Sequence, residues 1–175
     1  MKLGIFAVDG GNATGLAWGI YDLHAKSVPE ALSSREESGS VTTNRKIKRG
    51  GKTVVEGGQI SDLDQIITIF MIFKEFRKLC EAHGAPCDLV VEDFILLPGS
   101  HAGGKDGVAS VRIAWGLQGL VAGRMPKQEI VWQTPSQQGG VEDEYLRRHG
   151  VWIPGRDHER TCVKHIVVRL NKVLR

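Results

Sequence analysis

Two short apolar runs in this chain end in acids. LGIFAVD leads into Asp9-Gly10-Gly11-Asn12, and DLVVEDF carries Glu92 and Asp93 near its end. A carboxylate in a run as apolar as VVEDF is costly to bury unpaired, and a bound cation relieves that cost. Two hard oxygen ligands suit magnesium, which keeps several waters and takes its other contacts from phosphate. Two such ions about 3.5–4 Å apart activate water and stabilise the leaving oxygen in phosphodiester hydrolysis. Asp9 and Glu92 are therefore the first candidate ligands. A plainer account stands beside this one: an acid before Gly-Gly-Asn also makes a turn. Asp93, one residue on along a strand, faces away from Glu92 and serves a salt bridge or cap.

A third group is expected from GRDHERTCVKH, residues 155–165. Asp157, His158 and Thr161 share a helical face through their three- and four-residue spacings, and His165 follows further along the helix. On these residues alone, the plainer reading prevails, with Asp157 an N-cap and His158 a surface histidine. Basic residues gather in two places: Arg45, Lys46, Lys48, Arg49 and Lys52 in one glycine-containing stretch, and Arg147, Arg148, Arg156, Arg160 and Lys164 near the other end. Such clusters neutralise phosphates and release counterions, although a charge run by itself is also an ordinary solvated loop. The net charge is only +3, so the distribution carries the inference.

The elements that must position these residues follow from patterning. Leu3 to Val8 reads as a strand, and Thr14 to Tyr21 as a second one joined to it in a hairpin. A third strand, broken by the basic loop, is expected within Ser33 to Val55. Ser61 caps a helix whose apolar stripe includes Leu63, Ile66, Ile67, Phe70 and Phe73, with Gly84 as its stop. Asp88 to Phe94 is a buried strand, Leu97 to Gly107 a glycine-rich loop, and Val108 to Val121 a helix with small residues on one side. Glu129 to Trp132 is a strand, and Asp157 to Val173 an amphipathic final helix. Trp115 and Trp132 lie in apolar segments and are expected in the core. This order predicts an α/β fold: a mixed sheet of five strands, opening with an antiparallel hairpin and flanked by helices, in one domain over residues 1–175. Three cysteines with no C-x-x-C pair argue against a disulfide framework or a structural zinc site. No apolar run is long enough for a bilayer. The N-terminus reads as a strand and not as a signal peptide, so a cytoplasmic setting is expected.

AVDGGNATGLAWGIYD, VVEDF and HERTCVKH, taken in order, resemble the RuvC-like Holliday junction resolvases of the RNase H-like superfamily, in particular the bacteriophage branch. PGSHAGGKDGVASVRIAWGLQG also resembles that branch, so the likeness spans nearly the whole chain. The resemblance implies an RNase H-like fold, a homodimer, two magnesium or manganese ions, and cleavage of branched DNA in recombination, repair or phage genome processing. It makes Asp9 and Glu92 metal ligands, and His158 a ligand or an activator of the attacking water. The family pattern has an aspartate three residues after that histidine, where this chain has Thr161. Either Asp157, one turn earlier, stands in for it, or the chain has lost catalysis and keeps only DNA binding. Arg45, Lys46, Lys48, Arg49, Lys52, Lys105, Arg156 and Arg160 would then contact DNA, with His101 helping Lys105 to close over it. Phe94 is either a wedge for the junction or a core residue. Two alternatives remain: a related nuclease acting on flaps or RNA, and an actin-like ATPase or sugar kinase, for which the chain is short.

Overall fold

Strand β1 (Lys2–Asp9) is apolar on both sides because helices cover both faces of the sheet it centres. The computed structural model describes residues 1–49, 52–56, 58–93 and 105–174. Antiparallel β2 (Gly15–Asp22) pairs with β1 in a register that sets Gly15 opposite Asp9. Beyond it lies β3 (Glu36–Thr42), also antiparallel. A separate two-stranded ribbon, β4 (Lys46–Arg49) and β5 (Lys52–Val55), follows. On the other side of β1 come β6 (Cys87–Glu92) and β7 (Ile130–Gln133), each parallel to its neighbour. The sheet order is β3-β2-β1-β6-β7, the mixed five-stranded arrangement expected from the sequence.

Alternation along β1 divides the core. Phe6 and Val8 pack beneath α2 (Asp62–Ala82) and α3 (Lys105–Arg124); Leu3, Ile5 and Ala7 face α1 (Val28–Ser33) and α6 (Asp157–Val173). Ser61 caps α2 as expected, its hydroxyl accepting from the Asp64 amide at 3.2 Å. Gly116 on α3 allows close approach of α2: an added Cβ would strike the end of the Ile66 side chain.

Several expectations change. The segment read as one broken strand is β3 followed by the ribbon, which forms its own small sheet. The buried line of α2 is Gln65, Ile66, Ile69, Phe73, Phe76 and Cys80, whereas Leu63 and Ile67 are exposed. Trp115 is 69% exposed, because Ala109, Ile113, Ala114, Leu117 and Val121 form the packed side of α3; Trp132 is partly buried. Three short helices, α1, α4 (Pro135–Gln138) and α5 (Asp143–Arg148), were not expected. They are too short to display a period. Among the described residues, no helix is long and apolar enough to cross a membrane.

Candidate active site

Parity decides which side chains meet. Along β1, Asp9 follows Ala7 on the face beneath α6; along β6, Glu92 follows Val90; along β7, Gln133 follows Val131. Because β1, β6 and β7 are parallel, these three residues end adjacent strands at one edge of the sheet. Asp93 is of opposite parity and lines a hollow on the other face with Trp115, Gln118 and Trp132. It therefore stands apart from Glu92, as the alternation predicts.

Helix α6 crosses this edge with His158, Cys162, His165 and Arg169 in line, at spacings of four, three and four. The ring Nδ1 of His158 lies 2.9 Å from Asp9 Oδ2. The Cys162 thiol donates to the Gly15 carbonyl at 3.1 Å. His165 Nε2 is 3.4 Å from Glu92 Oε2, and its Nδ1 is 2.9 Å from Gln133 Oε1. Arg169 closes the row with a bond of 2.7 Å to Asp88, at the other end of β6. Glu159, also fully buried, accepts from Ser40 and Thr42 and so pins the start of α6 to β3.

Asp9 and Glu92 are buried, while His158 is about half exposed. Burial pushes the Asp9 carboxyl from its ordinary 3.8 up to about 6; the hydrogen bond from His158 opposes this, and neighbouring Glu92 adds to it. Two adjacent buried carboxylates are an unfavourable pair that a divalent cation would relieve. Among the described residues, no group of three or more His, Cys, Asp or Glu side chains converges to cage an ion. Asp9 and Glu92 are nonetheless two hard oxygen donors, the kind that a cation retaining waters and taking phosphate oxygens uses.

The other expected site residues have different placements. Asp157 lies in the first turn of α6 with its carboxylate exposed and ion-paired to Arg160, so Arg160 and not the acid pair holds it. It is not the N-cap, which is Arg156. Arg160 is mostly buried: it donates to the Ile153 carbonyl at 2.8 Å and lies over the Trp152 ring, which leaves little of it for phosphate. Arg156 pairs with Glu159 at 3.1 Å. Arg45 pairs loosely with Glu56 and borders an open cleft of about 270 Å³ with Asn12, Thr42, Asp157 and His158. Lys46, Lys48, Arg49 and Lys52 fall on the β4–β5 ribbon, and Lys105 opens α3. Phe94 and His101 lie outside the described residues.

Sequence reasoning missed His165 as a site residue, along with Gln133 and Gly15. For His165 the signal was present in the 158, 162, 165, 169 spacing of polar and thiol groups. Gln133 required knowing that β7 ends beside β6.

No protein-family model and no curated protein matches the sequence. Among solved structures, T. thermophilus RuvC in complex with a Holliday junction substrate matches with a TM-score of 0.51 at 12% identity, over 95% of this chain and 91% of that one. A second T. thermophilus RuvC structure matches at a TM-score of 0.48 and 12% identity, over 95% and 92%. A Ppx/GppA family member from Aquifex aeolicus matches at 0.42 and 14%, over 83% of this chain and 40% of that one. The likeness to the junction-bound RuvC concerns the backbone: the chain has an RNase H-like fold of the RuvC kind, a mixed five-stranded sheet flanked by helices.

Proposed function

We propose that this chain is a metal-dependent endonuclease that resolves four-way or otherwise branched DNA. The observation that carries the proposal is the pair of buried acids, Asp9 and Glu92, at one sheet edge with half-exposed His158 hydrogen-bonded to the first. Asp9 and Glu92 would hold magnesium or manganese, and a second ion would need its remaining oxygens from substrate and water. When bound, the metal supplies Lewis acidity and charge neutralisation at the scissile phosphate. Asp9 orients the His158 imidazole as carboxylates orient catalytic and ligating histidines elsewhere, and the ring is exposed enough to meet a water or a phosphate. Arg45, which borders the cleft beside His158, would supply phosphate contacts, and the basic residues of the β4–β5 segment would add to them.

A homodimer suits the two-fold symmetry of a four-way junction. Leu63, Ile67 and Met71, exposed at intervals of four on α2, give such a dimer an apolar face. The test is a labelled four-way junction incubated with magnesium, manganese or chelator, with sedimentation of the same preparation to read its assembly. Paired metal-dependent nicks, absent in Glu92→Gln, are expected. Tight junction binding without nicks in either metal would leave a DNA-binding protein on a nuclease fold.

That second reading has its own support in Thr161, together with an Asp157 whose exposed carboxylate is paired to Arg160. Thr161→Asp restores a carboxylate one turn beyond His158. We expect it to raise cleavage on the order of ten- to a hundredfold, the scale on which groups around a metal move activity. Single-turnover rates at saturating magnesium provide the measurement, and an unchanged rate would show that Thr161 does not limit the site.

A further inference from the structure

We infer that His165 and Gln133 are positioning residues that hold the Glu92 carboxylate against Asp9 so that the two can share a cation. This inference rests on the metal-dependent reading above and extends it to two residues that touch neither substrate nor metal. Glu92 reaches the site from the end of β6 through a side chain with several rotatable bonds. Repulsion from Asp9 would swing its carboxylate aside unless something retained it. His165 does so from α6: its Nε2 lies 3.4 Å from Glu92 Oε2, and its Nδ1 is fixed by Gln133 Oε1 at 2.9 Å.

All three side chains are buried, and His165 and Gln133 have no solvent exposure. An apolar pair would fill the same space without the cost of burying polar groups. Moreover, the Gln133 nitrogen has no hydrogen-bond partner among the described residues. Turning that amide so that its nitrogen donates to His165 Nδ1 satisfies it and leaves the imidazole Nε2–H to donate to Glu92, so the three side chains form one connected row of hydrogen bonds. The arrangement also repeats along α6. His158 tethers Asp9 and, two turns on, His165 tethers Glu92, so one helix sets both members of the acid pair. Histidines bonded to ligating carboxylates in this way fix orientation, and their loss typically costs 10–100-fold in metal affinity or activity.

The test titrates Mn²⁺ into metal-free wild type, His165→Leu, His165→Gln and Gln133→Leu by calorimetry, with thermal melts of the same samples in chelator. Both leucine variants should bind Mn²⁺ about 10–100-fold more weakly while remaining folded. His165→Gln, which keeps an N–H donor near the Nε2 position, should recover most of the affinity. In junction cleavage the leucine variants should lower kcat and leave KM for DNA unchanged. Wild-type uptake matched by equal uptake in the folded leucine variants would overturn this inference alone. No uptake by the wild type would overturn it together with the metal-dependent reading. If His165→Leu does not fold, Gln133→Leu decides by the same comparison.

Discussion

Asp9→Asn should abolish metal-dependent cleavage, by on the order of a thousandfold or more, and yet stabilise the metal-free protein above about pH 6. Burial and the neighbouring Glu92 raise the Asp9 carboxyl to about 6, against an ordinary 3.8. The folded state therefore binds this proton more tightly than the unfolded chain. The stability that the protonated acid contributes is present below about pH 4 and is lost as pH rises through about 6. At neutral pH the ionised group is a liability of roughly 2–3 kcal/mol, since each tenfold gain in proton affinity on folding is worth about 1.4 kcal/mol. An asparagine carries no such liability and can still accept from His158. In chelator, wild-type stability should fall between about pH 4 and pH 6 relative to the variant. Saturating metal should restore the wild type and not the variant. Denaturant unfolding at several pH values, with and without magnesium, measures this. Parallel pH curves for the two proteins in chelator would show that Asp9 is not a buried, strained acid.

The same acid illustrates what the sequence makes legible. Asp9 and Glu92 each end an apolar run, and a polar residue at the end of a buried strand is a local signal that needs no knowledge of neighbours. The helix that His158 opens is legible from the period of Val163, Ile166, Val167 and Leu170, but its role came from the resemblance and not from the residues alone. Asp157 and Arg160 show the opposite case. Both lie at spacings compatible with the site, but they pair with each other and Arg160 stacks on the ring of Trp152, a partner that only tertiary packing supplies. Gln133 and His165 belong to that same class. Each is an ordinary polar residue in sequence, and their joint role arises because β7 lies beside β6 beneath α6. The β4–β5 ribbon was obscured for another reason: it pairs only with itself, and a stretch dominated by Lys and Arg carries little apolar alternation to mark a strand.

Gly15→Ala should damage the protein out of proportion to the size of one methyl group. Gly15 lies opposite Asp9 in the β1–β2 register, directly beneath the first turn of α6. A Cβ there would fall within contact distance of the His158 carbonyl carbon and oxygen and 2.7 Å from its Cβ. These are mainly backbone atoms of a helix anchored by Glu159 to β3 and by Cys162 to the Gly15 carbonyl, so no side-chain rotation relieves the clash. The start of α6 must lift from the sheet, which draws His158 off Asp9. Overpacking of this kind costs roughly 1–3 kcal/mol, or a fall in Tm of about 3–10 °C for a chain of this size. Junction cleavage should fall further than stability does, because the displaced residue belongs to the site. Gly119→Ala is the control. Gly119 lies on α3 with nothing near an added Cβ, and alanine in a helix interior should be neutral or stabilising by up to about 1 kcal/mol. If Gly15→Ala melts and cleaves as the wild type does, α6 does not rest on β2 this closely. The contact between His158 and Asp9 would then need another explanation. If stability falls while cleavage by the surviving folded fraction is unchanged, Gly15 supports the fold alone. Loss of both, with Gly119→Ala unaffected, would show that the missing side chain at position 15 lets the helix carry its histidine to the acid.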